Sequence, residues 1–355
     1  MSAHGRSEAR VPPRGDGPEG HGRGTSGMAA QRTPLPGSRW HFTHGPIDIV
    51  IGADGQADAL REAHEAAWQR FEPLLAELVA ELPELRRPIV APPGPCGPSP
   101  RGGLRASERP CALIGPTSLR GTVACRMWRA CVPFSSEYIT PMAAVAGSVA
   151  QELIQCYRRP GVRRAWVNNG GDIALHLMDG ERVRIGLFTD LPRLDATAVL
   201  RAAQGRLALD GHFDVHAADG VRGVATSGWR GRSFSLGIAD SVTVLARDAA
   251  SADAAATVIA NAVNVDAPGI ERVAANALRD DTDLGAIPVT VHVPVLPVGA
   301  VRAALAAGEA RARTLLACGH IVGAALVCQG QARLVAAPST AHTTALAPSL
   351  LEKAA

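Results

Sequence analysis

The stretch Trp166-Val-Asn-Asn-Gly-Gly-Asp-Ile173 predicts a sharp turn between two strands, and the rest of the chain is interpreted around it. Gly170 and Gly171 lack Cβ atoms at two successive positions, so a ligand can approach the main chain closely there. Large apolar residues alternate with smaller or polar ones over residues 173–178, which predicts that a second strand leaves the turn. With Asp172 at its rim, such a turn can present backbone N–H groups to an anionic ligand. A plain hairpin accounts for the same residues equally well.

The composition allows a large core built from small aliphatic side chains. The chain has 355 residues, of which 46% are hydrophobic and 4% aromatic, and this length fits one large domain or two. The net charge is +3, and much of the arginine excess lies within the first forty residues. Because no long basic stripe with interleaved aromatic residues follows, we do not expect nucleic-acid binding.

The cysteines and the apolar runs indicate the compartment. The seven cysteines are scattered, odd in number and never spaced as Cys-x-x-Cys, so neither a disulfide framework nor a zinc site is expected. Such free thiols fit a reducing compartment. No apolar run reaches the roughly 18 residues that a membrane span needs, and the N-terminus lacks the apolar centre of a secretory signal. We therefore expect a cytoplasmic protein that does not enter a membrane.

We predict one folded domain over residues 39–338, flanked by segments that cannot bury enough apolar surface to fold. Residues 1–38 are rich in Gly, Pro, Arg and Ser and are predicted to form a disordered arm. Residues 88–110 are rich in Pro and Gly and are predicted to form a flexible loop within the domain. Residues 339–355 are predicted to form a flexible tail.

Hydrophobic periodicity and turn residues predict the secondary structure. Thr140 and Pro141 together predict a helix start, with Thr as the N-cap and Pro in the first turn. Pro73 is expected to kink or split the helix around it. The predicted strands cover residues 47–51, 122–132, 173–178, 182–188, 232–238, 241–247, 289–295, 321–328 and 331–335. The predicted helices cover residues 56–82, 196–204, 269–279 and 298–317, together with two that begin at Pro141 and after an N-cap at Ser251.

Two further stretches bear residue types suited to ligands. Gly223-Val-Ala-Thr-Ser-Gly228 is a small, hydroxyl-rich turn of the kind that holds an oxyanion or a phosphate. Asp253 and Thr257 are spaced i and i+4, so their oxygens project from one face of a helix, one turn apart. Such a pair can hold a hard cation such as Mg²⁺, with phosphate and water completing the octahedron. Helix capping and an exposed threonine explain the same pair more simply.

Taken in order, five stretches resemble the ApbE superfamily of flavin transferases, and in particular its uncharacterised UPF-class branch. They are Pro141-Met-Ala-Ala-Val-Ala-Gly147, Val167-Asn-Asn-Gly-Gly-Asp-Ile173, Gly223-Val-Ala-Thr-Ser-Gly228, Ser241-Val-Thr-Val244 and Ala252-Asp-Ala-Ala-Ala-Thr257. Each motif is weak alone, whereas their order and spacing are fairly specific. The resemblance implies an α+β fold, with largely antiparallel sheets packed with helices in a T-fold-related single domain.

The resemblance also implies a ligand and an activity. ApbE-type enzymes take FAD and Mg²⁺, cleave the pyrophosphate, and pass FMN to a threonine hydroxyl of an acceptor flavoprotein. By this resemblance Asp253 and Thr257 are the catalytic pair and the metal ligands. The implied cofactor-binding residues are Gly147, Asn169, Gly170, Gly171, Asp172, Thr226, Ser227 and Gly228. The expected partners are a flavin nucleotide and an acceptor flavoprotein, and a homo-oligomer is left open.

Two departures from the transferase pattern leave a second interpretation open. The transferases carry a Lys-Gly pair where this chain has Ala146-Gly147, so a cation that contacts FAD is missing. They also carry a His-Ile-Ile-Asp-Pro stretch where this chain has residues 234–240, which contain neither His nor Pro. The alternative function is therefore a non-catalytic flavin- or nucleotide-binding protein that keeps the pocket and lacks the transferase chemistry.

Overall fold

A nine-stranded antiparallel sheet forms the centre of the computed structural model, which describes residues 29–90, 118–187, 211–336 and 344–346. The described strands are β1 (Gln31–Leu35), β2 (Arg39–His44), β3 (Ile47–Gly55), β4 (Val162–Asn169), β5 (Asp172–Leu177), β6 (Arg182–Leu187), β7 (Gly211–His216), β8 (Gly223–Ser227), β9 (Ser241–Ala246), β10 (Glu271–Ala274), β11 (Pro288–His292), β12 (Gly323–Cys328), β13 (Gln331–Ala336) and β14 (Thr344–Leu346). The large sheet has the order β1-β2-β3-β4-β5-β8-β9-β12-β13, and every neighbouring pair is antiparallel.

The helices cover one face of this sheet. They are α1 (Ala57–Phe71), α2 (Leu74–Ala80), α3 (Leu82–Leu85), α4 (Thr122–Cys131), α5 (Val145–Ile154), α6 (Ala249–Ala262), α7 (Ala275–Leu278) and α8 (Val298–Ala317). Buried side chains of β3 and β4 pack with α1 and α5, and those of β9 and β12 pack with α6 and α8. The opposite face carries the small antiparallel sheet β14-β7-β6. The predicted α+β class with largely antiparallel sheets is therefore confirmed.

Small residues allow the central helices to approach the sheet and each other closely. Ala254, Ala255 and Ala256 of α6 are fully buried, and α6 lies against both α5 and β8. A Cβ atom placed on Gly147 of α5 would lie 2.2 Å from the carbonyl oxygen of Ala249. The backbones of α5 and α6 therefore touch at a point where no side chain larger than hydrogen fits.

Several elements lie where the sequence predicts them. The strand predicted from residue 47 is β3, which continues through Gly52 to Gly55, and the helix predicted for residues 298–317 is α8. Pro73 separates α1 from α2, as expected for a residue that cannot donate a helical hydrogen bond. β12 and β13 form the predicted hairpin, in which Gln329 and Gly330 have φ angles of 45° and 75°. These positive angles match the right-handed twist of a tight hairpin.

The strand predicted for residues 122–132 is wrong, because this segment forms helix α4. Its buried residues Val123, Ala124, Met127, Ala130 and Cys131 recur with a helical rather than a twofold period. The helix predicted for residues 269–279 is also wrong over its first half, since strand β10 precedes the short α7.

The strand predicted for residues 232–238 is likewise wrong. Residues 228–240 form an irregular connection, in which the Trp229 amide donates to Ala239 and the Ile238 amide to Val263 at the end of α6. The preceding Gly-Val-Ala-Thr-Ser motif, predicted as a turn, is strand β8 instead. β9 already has β8 and β12 as neighbours, so the connection cannot join the sheet beside it.

Two boundaries differ from the predictions. Strand β1 pairs with β2 although residues 31–35 lie inside the predicted arm, because its pairing partner rather than its composition orders it. Helix α6 has Asp248 as its N-cap rather than Ser251, since the Asp248 carboxylate accepts from the Ser251 amide and hydroxyl at 2.8 and 2.9 Å. The helix predicted for residues 196–204 lies outside the described residues, as do residues 91–110 of the predicted loop. Within the described ranges, no helix has both the length and the apolarity to cross a membrane.

Candidate functional site

A cleft with a volume of about 310 Å³ lies at the first residue of β5 and the last residues of β8. Its other walls are the Pro141–Ala144 turn before α5, one face of α6, and residues 281–284. It contains seven of the ten residues that the sequence predicts for the site: Gly170, Asp172, Thr226, Ser227, Gly228, Asp253 and Thr257. The motifs that the sequence could only place in order are therefore brought together in space.

Three predicted residues, Gly147, Asn169 and Gly171, lie behind the lining and hold it in place. The Asn169 side-chain amide donates to the Ala146 carbonyl oxygen at 3.2 Å, which ties β4 to the start of α5. The Gly171 amide donates to the Asn168 side-chain oxygen at 2.8 Å, so this N–H group is satisfied inside the turn. Gly147 provides the close contact between α5 and α6 described above.

The glycine pair is both a hairpin turn and a wall of the cleft. Asn169 pairs with Asp172 across β4 and β5, which leaves Gly170 and Gly171 as a two-residue loop. Their φ angles of 67° and 114° are in the range that glycine adopts without strain. Gly170 faces the cleft. The two interpretations of this stretch that the sequence left open are therefore compatible.

Backbone donors fix the two cleft carboxylates. Asp253, on the second turn of α6, accepts a hydrogen bond from the Gly147 amide at 2.8 Å. Asp172, the first residue of β5, accepts one from the Thr226 amide of β8 at 3.2 Å. The Thr226 hydroxyl in turn lies 2.9 Å from the Thr243 hydroxyl on β9. Each carboxylate is thus oriented by a neighbouring element of the fold rather than by its own loop.

Burial raises the cost of ionising both carboxylates, and the charge of Asp172 adds to the cost for Asp253. Burial raises the pKa of Asp172 to about 7, against the opposing effects of the Thr226 amide and the Arg232 charge. Burial also raises the pKa of Asp253 well above its usual range, and the charge of Asp172 raises it further. The amides of Gly147 and Ala146 oppose this rise. Two like charges at one site favour either a shared proton or a bound cation.

The donor set fits a hard divalent cation. Asp172, Asp253 and Thr257 all line the cleft and offer only oxygen atoms. In the described part of the chain, no group of three or more His, Cys, Asp or Glu residues is arranged to hold a metal ion. Two carboxylates and one hydroxyl suit Mg²⁺, which is usually held by one or two carboxylates and completes its octahedron with water and substrate phosphates. Zinc would require a fuller set of nitrogen or sulfur ligands.

The rim of the cleft carries polar residues that the sequence analysis does not identify. Arg86, in the turn after α3, forms an ion pair with Asp281 at 3.0 Å. The Tyr138 hydroxyl donates to the Asp283 carbonyl oxygen at 2.6 Å, and the Thr140 hydroxyl donates to the Asp283 carboxylate. These partners are more than 140 positions apart in the chain, so no local spacing could reveal them.

The comparison with known families agrees with this arrangement. A family model described as "AbpE bacteria" matches residues 31–334, which include both the large sheet and the cleft. The chain belongs to this family. The match supports the ApbE-like resemblance carried by the sequence motifs of this AbpE-family protein.

Archaeal relatives carry the name UPF0280 protein, which states no activity. The relative from Methanothrix thermoacetophila is 39% identical over 140 residues, covering 39% of this chain and 52% of the relative. The relative from Methanothermobacter thermautotrophicus is 40% identical over 127 residues, covering 36% and 43% of the two chains. For Archaeoglobus fulgidus the identity is 34% over 125 residues, covering 35% and 45%. The chain thus spans about half the length of the curated relatives that it matches.

Gly147→Ala should destabilise the protein by about 1–3 kcal/mol, as expected for overpacking a close contact. The added methyl group would lie 2.2 Å from the Ala249 carbonyl oxygen and 2.9 Å from Cβ of Asp253. Denaturant unfolding of the purified variant measures the effect. Gly299→Ala near the start of α8 is the matched control, because nothing lies within 4 Å of its added Cβ. An equal effect in both variants would contradict the close packing of α5 on α6.

Proposed function

We propose that the cleft binds FAD together with Mg²⁺, cleaves the pyrophosphate, and transfers FMN to a threonine hydroxyl of an acceptor flavoprotein. The observation that carries the proposal is a pair of carboxylates, the buried Asp172 and the half-buried Asp253, beside Thr257 in a cleft of a size suited to small ligands. Mg²⁺ in this place would offset the repulsion between the carboxylates and neutralise charge on the pyrophosphate.

The protein residues would bind and orient the nucleotide. Asp253 and Thr257 would hold the cation, and Asp172 would add a second carboxylate near it. Thr226 and Ser227 end strand β8 inside the cleft, where their partly exposed hydroxyl groups can donate to phosphate oxygens. Gly170 and Arg232 are exposed at the rim, so a ligand longer than the cleft can continue over the surface.

FAD should raise the melting temperature when Mg²⁺ is present, because a ligand that binds only the folded state stabilises it. At a free concentration a hundred times the dissociation constant, the gain is about 2.7 kcal/mol. FMN and riboflavin should raise it less, since they lack the pyrophosphate and the adenosine. Differential scanning fluorimetry with each ligand, with and without Mg²⁺, measures this order. An unchanged melting temperature at millimolar FAD would contradict a flavin site.

The second candidate is a flavin- or nucleotide-binding protein without transferase activity. It is favoured by the position of Ala146, which lines the cleft and supplies no charge where the transferases have lysine. No histidine of the described residues lines the cleft either. Chromatography of FAD incubated with protein and Mg²⁺ separates the candidates, since only an enzyme forms FMN. Binding without FMN formation, tested also with a threonine-containing acceptor, would favour this second function.

A further inference from the structure

Three arginine side chains line the cleft, and two of them are engaged by the protein. Arg86 is paired with Asp281 at 3.0 Å. The Arg279 guanidinium stacks over the Phe234 ring, 5.3 Å from its centroid. The third, Arg232, has neither a hydrogen bond nor an ion pair with any residue that the structure describes. An arginine that lines a cleft and has no partner among the described residues is available to an anion.

The fold places the Arg232 guanidinium directly against the glycine turn. A Cβ atom built on Gly170 would lie 1.8 Å from Nη2 and 2.7 Å from Cζ of Arg232. The guanidinium thus occupies space that any other residue at position 170 would fill. The absence of a side chain at Gly170 therefore lets this cation reach the cleft wall formed by the turn.

Arg232 also lies near Asp172 without being neutralised by an ion pair with it. Its charge lowers the pKa of Asp172, although the described structure shows no ion pair between Arg232 and Asp172. The Asp172 carboxylate is instead satisfied by the Thr226 amide. One cleft therefore contains a carboxylate pair suited to a cation and, beside it, a guanidinium suited to an anion.

We propose that Arg232 binds the diphosphate of the nucleotide that enters this cleft. The inference rests on the proposed function and adds to it the residue that selects phosphorylated ligands. A planar guanidinium offers paired N–H donors that match two phosphate oxygens, and such charge-assisted bonds are stronger than neutral ones. Arg232 would provide in this chain a positive charge that Ala146 cannot provide. It is a binding and positioning residue, and no chemical step is assigned to it.

Arg232→Ala should weaken FAD binding by roughly 10- to 100-fold, the usual range for loss of a hydrogen-bonded charge. Inorganic pyrophosphate binding should weaken by a similar factor, whereas riboflavin binding should not change, since riboflavin has no phosphate. Arg232→Lys should retain part of the affinity because it keeps the charge and loses the fork. Isothermal titration calorimetry with these three ligands in the presence of Mg²⁺ measures the differences. Arg230→Ala is the matched control, since Arg230 is exposed, stacks on Trp229 and lies outside the cleft.

Gly170→Ala provides a second test that leaves Arg232 in the chain. Its methyl group would displace the guanidinium from the turn, so FAD and pyrophosphate should again bind more weakly. Gly180→Ala controls for backbone strain, because Gly180 also has a positive φ, of 81°, and has nothing within 4 Å of its added Cβ. Weaker phosphate-dependent binding in Gly170→Ala but not in Gly180→Ala supports the inference.

The results separate failure of the inference from failure of the proposed function. If the wild-type protein binds FAD and Arg232→Ala binds it equally well, the inference is overturned and the flavin site stands. If Arg232→Ala weakens riboflavin binding as much as FAD binding, Arg232 shapes the cleft and does not select phosphate. That result also overturns the inference. If the wild-type protein does not bind FAD, the proposed function fails, and pyrophosphate decides the inference alone. Pyrophosphate binding that is lost in Arg232→Ala supports it, and binding that is absent or unchanged overturns it.

Discussion

Asp253→Asn should lower Mg²⁺-dependent FMN release from FAD by about a hundredfold or more. Loss of residues that merely orient metal ligands already costs about 10- to 100-fold, and Asp253 is assigned as a ligand itself. The asparagine keeps an oxygen that can accept from the Gly147 amide, at 2.8 Å in the wild-type protein, so the local packing should persist. Steady-state FMN formation at several Mg²⁺ concentrations measures the loss, which should appear mainly as a higher Mg²⁺ requirement.

The same substitution should not weaken the metal-free protein. The charge of Asp253 is raised in energy by burial and by Asp172, as the raised pKa of Asp253 records. A neutral amide removes this repulsion, so the free energy of unfolding without Mg²⁺ should stay level or rise. If Asp253 only served the dipole of α6, its removal would instead cost about 0.3–1 kcal/mol and would not affect activity.

Two further variants complete this test. Thr257→Val keeps the shape of the side chain and deletes its oxygen, and its effect should not add to that of Asp253→Asn, because both act on one ion. Asp266→Asn is the control, since Asp266 is exposed in the connection that follows α6. Additive effects of the two cleft variants, or effects on stability alone, would contradict the metal site and favour the non-catalytic function.

The elements that the sequence predicts well are those defined by local patterns. α8 covers the predicted residues because twenty positions show one continuous helical pattern. The hairpin between β12 and β13 follows from the residues at its turn. α4 is different, because over ten residues an apolar segment fits a strand or a helix equally well, and packing decides. β1 is ordered by pairing with β2, a contact that its composition does not reveal.

The candidate site divides in the same way. Asp172, Asp253 and Thr257 stand in recognisable motifs, so the sequence can nominate them and the fold brings them into one cleft. Arg86 and Asp281 are 195 positions apart, and only the folded chain makes them neighbours. Arg232 has no pattern around it that distinguishes it from Arg230. What distinguishes it is that it lines the cleft and has no partner among the described residues, which is a property of the three-dimensional structure.

His64 should make the protein less stable as the pH falls from about 7.5 to 5. The side chain projects from α1 into the core, where its Nδ1 is 2.7 Å from the Tyr157 hydroxyl. Burial lowers the pKa of His64 from 6.5 to about 4. Between pH 4 and pH 6.5 the unfolded chain therefore binds a proton at His64 that the folded chain does not bind. Stability is unaffected above about pH 6.5 and is lost progressively below it, by about 2 kcal/mol at pH 5 and about 3 kcal/mol at pH 4.

His64→Gln isolates this effect, because glutamine does not titrate and can still bond to the tyrosine hydroxyl. Urea unfolding at pH 7.5 and at pH 5 gives the free energy of unfolding for each protein. The wild-type protein should lose about 2 kcal/mol more than the variant over this interval, whatever the other titrating groups contribute to both. Among those groups, Asp172 has a raised pKa and acts in the opposite sense, stabilising the fold as the pH falls, so only the difference between the proteins is informative.

His292→Gln, at an exposed position of β11, should keep the wild-type pH dependence. A His64→Gln variant with that same dependence would show that His64 is free to ionise in the folded protein.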